Sequence, residues 1–78
     1  MDLGKAVSQR IIDLCRQRGI TINRLANLSG LTQSTVDSIL KGKSKSPRLV
    51  TLIKISDGLG INICEFLDDP KINDADID

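Results

Sequence analysis

Residues 21–42, TINRLANLSGLTQSTVDSILKG, constrain this 78-residue chain more than any other stretch, because two short helical patterns meet there at one glycine-centred bend. Thr21 is suited to cap a helix whose inward positions are Leu25, Ala26 and Leu28, and Thr32 to cap a second whose inward positions are Val36, Ile39 and Leu40. Between them stands Ser29-Gly30-Leu31, where a helix must end in the left-handed conformation that glycine adopts without a Cβ penalty. Ala26 is small enough for two helices to cross closely, and Val36 is the first residue of the second helix able to reach back into the first.

Helix, short turn with Gly, helix is the spacing of a helix-turn-helix. A plain packed hairpin has the same spacing, so this stretch alone leaves DNA reading and simple packing both open. The rest of the chain decides between them.

Val7, Ile11, Leu14 and Cys15 form one buried stripe, predicting a first helix over 2–18 that Gly19 ends, with Arg10, Arg16 and Arg18 on its solvated face. The third helix is expected to run from Gln33 to Lys41 and stop at Gly42. Pro47 suits the first position of a fourth helix capped by Ser46, with Leu49, Leu52, Ile53 and Leu59 inward, Val50 and Ile55 flanking, and an end at Asp57-Gly58. Asn62-Ile63-Cys64-Glu65 reads as a capping box opening a fifth helix, with Phe66 and Leu67 in the core. No strand pattern occurs, so the expected architecture is all-α with five helices.

Charge separates the chain into two parts. Residues 1–67 carry ten Lys and Arg against five acids, a balance of +5, while residues 68–78 carry Lys71 against five Asp, a balance of −4. We therefore expect a folded basic domain over 1–69 and an acidic, disordered tail over 70–78. Cys15 and Cys64 are far apart, and with no His to complete a metal site both are expected to be reduced core thiols. No apolar run of membrane-spanning length and no leader pattern occurs, which makes a cytoplasmic protein without membrane attachment the expectation.

A DNA interface needs a grip on phosphates and a means of reading base edges. Lys41, Lys43, Lys45 and Arg48 put four positive charges within eight residues, and Thr21 and Thr32 stand at helix N-termini whose free N–H groups suit phosphate oxygens. Gln33, Ser34, Asp37, Ser38 and Lys41 face outward on the third helix: Gln offers an amide fork for adenine, Ser bonds to several base edges, and Lys reaches guanine. Asp37 could accept from cytosine, repel phosphates in a wrong register, or pair with Lys41, the last being favoured. Single-stranded RNA recognition lacks its stacking platform, since Phe66, the one aromatic residue, is needed for the core. Catalysis lacks His, a phosphate-cradling glycine loop and any nucleophile paired with a base, and no cofactor is expected.

Residues 5–68 resemble the Cro/C1-type (xenobiotic-response-element type) helix-turn-helix domain of phage repressors and their bacterial relatives. Leu25-Ala26, Gly30, Leu31-Thr32-Gln33, Val36, Ile39, Lys41-Gly42-Lys43, Pro47, Leu52 and Leu59-Gly60-Ile61 fall in register with it. The resemblance implies a five-helix, lambda-repressor-like domain with the helix-turn-helix at helices 2 and 3. It further implies binding as a dimer to a two-fold operator and a role in transcription, repression being the expected sense. Carried over to this chain, it implies base contacts from Thr32, Gln33, Ser34, Asp37, Ser38 and Lys41, and phosphate contacts from Thr21, Lys43, Lys45 and Arg48.

The family often has Gln where this chain has Ile22, so Ile22 either packs against helix 1 or the docking shifts. Ile61, Ile63 and Leu67 exceed what one helix face can bury, which places the expected homodimer contact at helix 5. The alternative reading is a protein-interaction module, an antitoxin or adaptor whose acidic tail or helix 5 binds a partner protein.

Overall fold

The computed structural model describes residues 1–42 and 46–77. The five expected helices are present as α1 (Leu3–Arg18), α2 (Ile22–Ser29), α3 (Gln33–Leu40), α4 (Leu49–Leu59) and α5 (Ile63–Leu67), and a sixth, α6 (Pro70–Asn73), follows them. All but α4 begin where a side chain replaces a missing backbone partner: Thr21 accepts from the Arg24 N–H at 3.0 Å, Thr32 from Thr35 at 3.2 Å and Asn62 from Glu65 at 2.8 Å. Of the capping box at α5, this forward bond is the half that forms. Gly30 ends α2 at φ 67°, so the bend between α2 and α3 is closed as its residues require.

The core is built from the inward stripes of these helices. Val7, Ile11, Leu14 and Cys15 of α1 meet Leu25 of α2, Ile39 of α3, Leu52, Ile55 and Leu59 of α4 and Phe66 of α5. Ile22 is partly buried and packs against this cluster. Ser8 ties α3 to α1 by donating its hydroxyl to the Leu40 carbonyl at 3.0 Å. Helix α3 is thus held by an apolar seam of Val36 and Ile39 and by a polar bond at its C-terminal end.

Several expectations are corrected. Pro47 is not the first residue of α4 and Ser46 is not its cap: Arg48 occupies the cap position without a side-chain bond, and Pro47 lies in the extended segment before it. The helix continues through Gly58 to Leu59, because Leu59 belongs to the core and Gly60, at φ 74°, supplies the left-handed stop. Leu28 is exposed and Ser29 is buried instead, since α2 presents the stripe Leu25, Ala26, Ser29 to α4. Leu49, Val50 and Ile53, expected in or beside the core, are exposed, because the stripe that reaches the core is Leu52, Ile55, Ser56, Leu59. Conversely Ile61, Ile63 and Leu67 pack against the core, so the surplus apolar surface lies on α4 rather than α5. Cys15 is buried and free as expected, but Cys64 is free and exposed.

The arginines of α1 are not all solvated. Arg10 donates through Nε to the Phe66 carbonyl at 2.9 Å and through Nη2 to the Glu65 carbonyl at 2.7 Å, and pairs with Asp69 at 3.5 Å. Arg18 donates from Nε to the Leu59 carbonyl at 2.8 Å. Both cations satisfy carbonyls at a helix C-terminus, where the last turn lacks acceptor partners and the macrodipole favours positive charge.

Where a disordered tail over 70–78 was expected, the described residues include a short helix, α6 (Pro70–Asn73), tied back to the rest of the chain. Asp69, nearly buried, caps α6 by accepting from the Lys71 N–H at 2.7 Å. Lys71 reaches Asp13 at 3.3 Å and Asp69 at 3.6 Å, Ile72 packs against the core, and the Asp76 N–H donates to the Met1 carbonyl at 3.0 Å. Composition registers five carboxylates; it does not register that Arg10 of α1 pairs with Asp69.

Candidate nucleic-acid interface

Helix α3 is positioned by its buried side and offers its other side to solvent. With Val36 and Ile39 inward, helical periodicity turns Thr32, Gln33, Ser34, Thr35, Ser38 and Lys41 outward, and each is exposed, while Asp37 is half-buried. The structure therefore brings the six expected base-reading residues onto one helix and its two flanking positions. Thr35 is exposed as well, on the flank of α3 nearer Ile39, and its hydroxyl lies 2.9 Å from that of the capping Thr32.

Asp37 is bonded differently from the favoured expectation. Rather than pairing with Lys41, its Oδ1 accepts from Gln33 Nε2 at 3.2 Å, one turn earlier on the same helix. This bond uses one N–H of the exposed Gln33 amide; its carbonyl oxygen and second N–H make no bond among the described residues, and they are the acceptor and donor kinds that an adenine edge requires. Thr32 is engaged in capping, and so is Thr21; each still stands at the first turn of a helix, where backbone N–H groups suit an anion.

Of the expected phosphate-contacting residues, Thr21 and Arg48 are exposed, at the start of α2 and the start of α4. Lys43 and Lys45 lie outside the described residues. Arg10 is excluded from any such role because three of its nitrogens are committed to α5 and Asp69. Arg24, exposed in the first turn of α2, is a further cation beside Thr21 that the residue pattern did not single out.

A shallow cleft is lined by Arg10, Leu14, Arg18 and Glu65 among others, and none of its lining residues belongs to α3. Its two arginines are already bonded to backbone carbonyls. Among the described residues no cluster of His, Cys, Asp and Glu is suited to hold a metal, and no helix is long and apolar enough to cross a membrane.

Comparison with known proteins places this geometry among related chains. The profile of the Cro/C1-type HTH DNA-binding domain matches residues 10–71. The HTH-type transcriptional regulator PuuR of Escherichia coli strain K12 is 36% identical over 70 residues, covering 90% of this chain and 37% of that protein. Prophage Lp1 protein 11, known as a crystal structure, superimposes with a TM-score of 0.83 at 42% identity, covering 94% of this chain and 97% of that one. An HTH_3 family transcriptional regulator from Vibrio cholerae superimposes with a TM-score of 0.77 at 28% identity, covering 90% of this chain and 39% of that one. The chain thus spans little more than a third of PuuR.

Proposed function

Because the chain belongs to the Cro/C1-type helix-turn-helix DNA-binding domain family, we propose that it is a sequence-specific transcriptional regulator that reads the major groove of duplex DNA with α3. The observation that carries this reading is the exposed face of α3, where polar side chains of modest length surround a Gln33 amide bonded to Asp37. Short residues at the N-terminal end let the helix backbone approach the groove floor, and Gln33, Ser34, Ser38 and Lys41 then meet base edges. Thr32 contributes from the cap and Asp37 by holding Gln33. Thr21, Lys43, Lys45 and Arg48 take the phosphates on either side.

The protein acts as a homodimer on a two-fold operator, and occlusion of a promoter makes it a repressor. No chemistry beyond binding is required, so it is not an enzyme and needs no cofactor. Its place of action is the cytoplasm, where the DNA is. The rival reading, a protein-interaction module whose acidic tail or helix 5 binds a partner, is less favoured, because α6 and Asp69 are bonded to α1.

Salt and substitution test the proposal together. Affinity for a duplex should fall with a logarithmic slope of about 0.9 per phosphate neutralised. Replacing Gln33 or Ser38 by Ala should cost about 1–3 kcal/mol per lost base contact and relax the preference among duplex sites. An unchanged preference in both variants would show that α3 does not read the bases.

A further inference from the structure

Ser8 lies on the packed side of α1, with only 7% of its surface exposed. A hydroxyl in such a contact is unfavourable unless it is bonded, and Ser8 donates to the Leu40 carbonyl, in the last turn of α3, at 3.0 Å. Among the described residues this is the one hydrogen bond that joins α3 to another helix.

The two ends of α3 are held by different means. The N-terminal end, with Gln33, is fixed by the Thr32 cap and by the preceding turn, in which the Leu31 N–H donates to the Ala26 carbonyl at 3.0 Å. The middle rests on Val36 and Ile39, whose apolar contact is non-directional and tolerates small slides and rotations. At the C-terminal end the last carbonyls need partners from outside the helix. That of Asp37 accepts from the Lys41 N–H at 2.9 Å, that of Ile39 from the Gly42 N–H at 3.1 Å, and that of Leu40 from Ser8. The Leu40 carbonyl and the Lys41 N–H belong to one planar peptide unit. This unit is therefore held on both edges, by Ser8 and by the Asp37 carbonyl, and it carries the Cα of exposed Lys41.

We propose that Ser8 is a positioning residue of the reading helix, setting the direction in which Lys41 leaves α3 and with it the preference at the base pair that Lys41 meets. This role rests on the regulator reading above and deepens it. Ser8 is itself too buried to touch a duplex, so it acts through the Leu40–Lys41 peptide. Without the hydroxyl that peptide keeps only its bond to Asp37 and is free to tilt, and a small tilt is magnified at the far end of a long lysine side chain. Gln33, at the separately held end, keeps its setting. Ser8 thus governs one end of α3 rather than the helix as a whole.

Competition binding by the full chain on three duplexes tests this. One carries the site recovered from a random pool, the second that site changed at the base pair whose preference is lost in Lys41→Ala, and the third the site changed at the pair whose preference is lost in Gln33→Ala. A ratio of affinities for two duplexes does not depend on how much of the protein is folded, so it separates positioning from stability. Ser8→Ala should lower discrimination at the Lys41 pair by about threefold or more and leave discrimination at the Gln33 pair unchanged. Added to Lys41→Ala, it should cost no further preference for the selected site over unrelated duplex. Ile11→Val, a core change on the same helix that spares the bond, should lower stability and leave both ratios as in the parent chain. An unchanged ratio in Ser8→Ala, equal losses at both pairs, a further loss in the double variant, or the same loss in Ile11→Val overturns the assignment. So does a parent preference that Lys41→Ala leaves intact at every base pair. A parent chain with no sequence preference at all would instead sink the regulator reading.

Discussion

Gly58 of α4 passes so close to Ser29 of α2 that a methyl group at position 58 would overlap the Ser29 hydroxyl and press on the backbone of Leu28 and Ser29. The contact seats α2, and with it the turn into α3, against the longest helix of the C-terminal half. It also explains why a residue no larger than Ser ends α2. The Ser29 hydroxyl is buried and has no hydrogen-bond partner among the described residues.

Two stability changes of opposite sign follow from that contact. Gly58→Ala gains helix propensity but overpacks the crossing, for a net loss of about 1–2 kcal/mol. Ser29→Ala removes an unpaired buried hydroxyl and should stabilise by about 1 kcal/mol, while also softening the cost of Gly58→Ala in the double variant. Urea unfolding of the four proteins measures all three quantities; additive effects would contradict the contact.

Arg10 and Asp69 form the second critical pair. Arg10→Met should cost about 1–3 kcal/mol, because it leaves two carbonyls of α5 without their donor and removes one of the two cations on the nearly buried Asp69, which keeps Lys71. Arg10→Lys should recover only part of this, since one ammonium cannot reproduce the guanidinium fork. Equal stability of the Met variant and the parent chain in chemical unfolding would show that the clamp carries no weight.

Acid should loosen the C-terminal segment from α1. The Gln9 amide, and after it Lys71, hold the Asp13 carboxyl below its ordinary value of 3.8, with burial opposing them. The folded state thus favours charged Asp13, so its contribution is complete above about pH 4 and disappears as the pH falls through the depressed folded value. Unfolding followed between neutral and acid pH should show a smaller acid loss in Asp13→Asn than in the parent chain. An identical loss in both would remove Asp13 from the account.

Asp37 should influence specificity through Gln33. In Asp37→Ala the Gln33 amide loses its bond to that carboxylate, so discrimination at the base pair it reads should weaken, while removal of a negative charge raises affinity for unrelated duplex. Competition binding separates the two effects. A variant that gains affinity equally for all sequences would mean that Asp37 does not position Gln33.

Much of the geometry of the candidate site was legible because it is local. Thr21, Thr32 and Gly30 obey rules that operate within a few residues, and Val36 with Ile39 determines which side of α3 faces out. What escaped was tertiary. Arg10 and the carbonyls of Glu65 and Phe66 are more than fifty residues apart, so a pattern of charges shows Arg10 only as a solvated cation. The ordering of α6 depends on the same partner. On α4 the residues between Leu49 and Leu59 are apolar on more than one side, and only packing against α2 reveals which stripe is buried. The Gln33–Asp37 bond was within local reach, but Asp37 has candidate partners one turn away in both directions.

Selection of bound sequences from a random duplex pool tests the central claim most directly. The account predicts enrichment of a two-fold site whose half-sites are centred about one helical turn apart, with the preference at one position of each half-site weakened in Gln33→Ala. A pool that stays unenriched at low salt would contradict it.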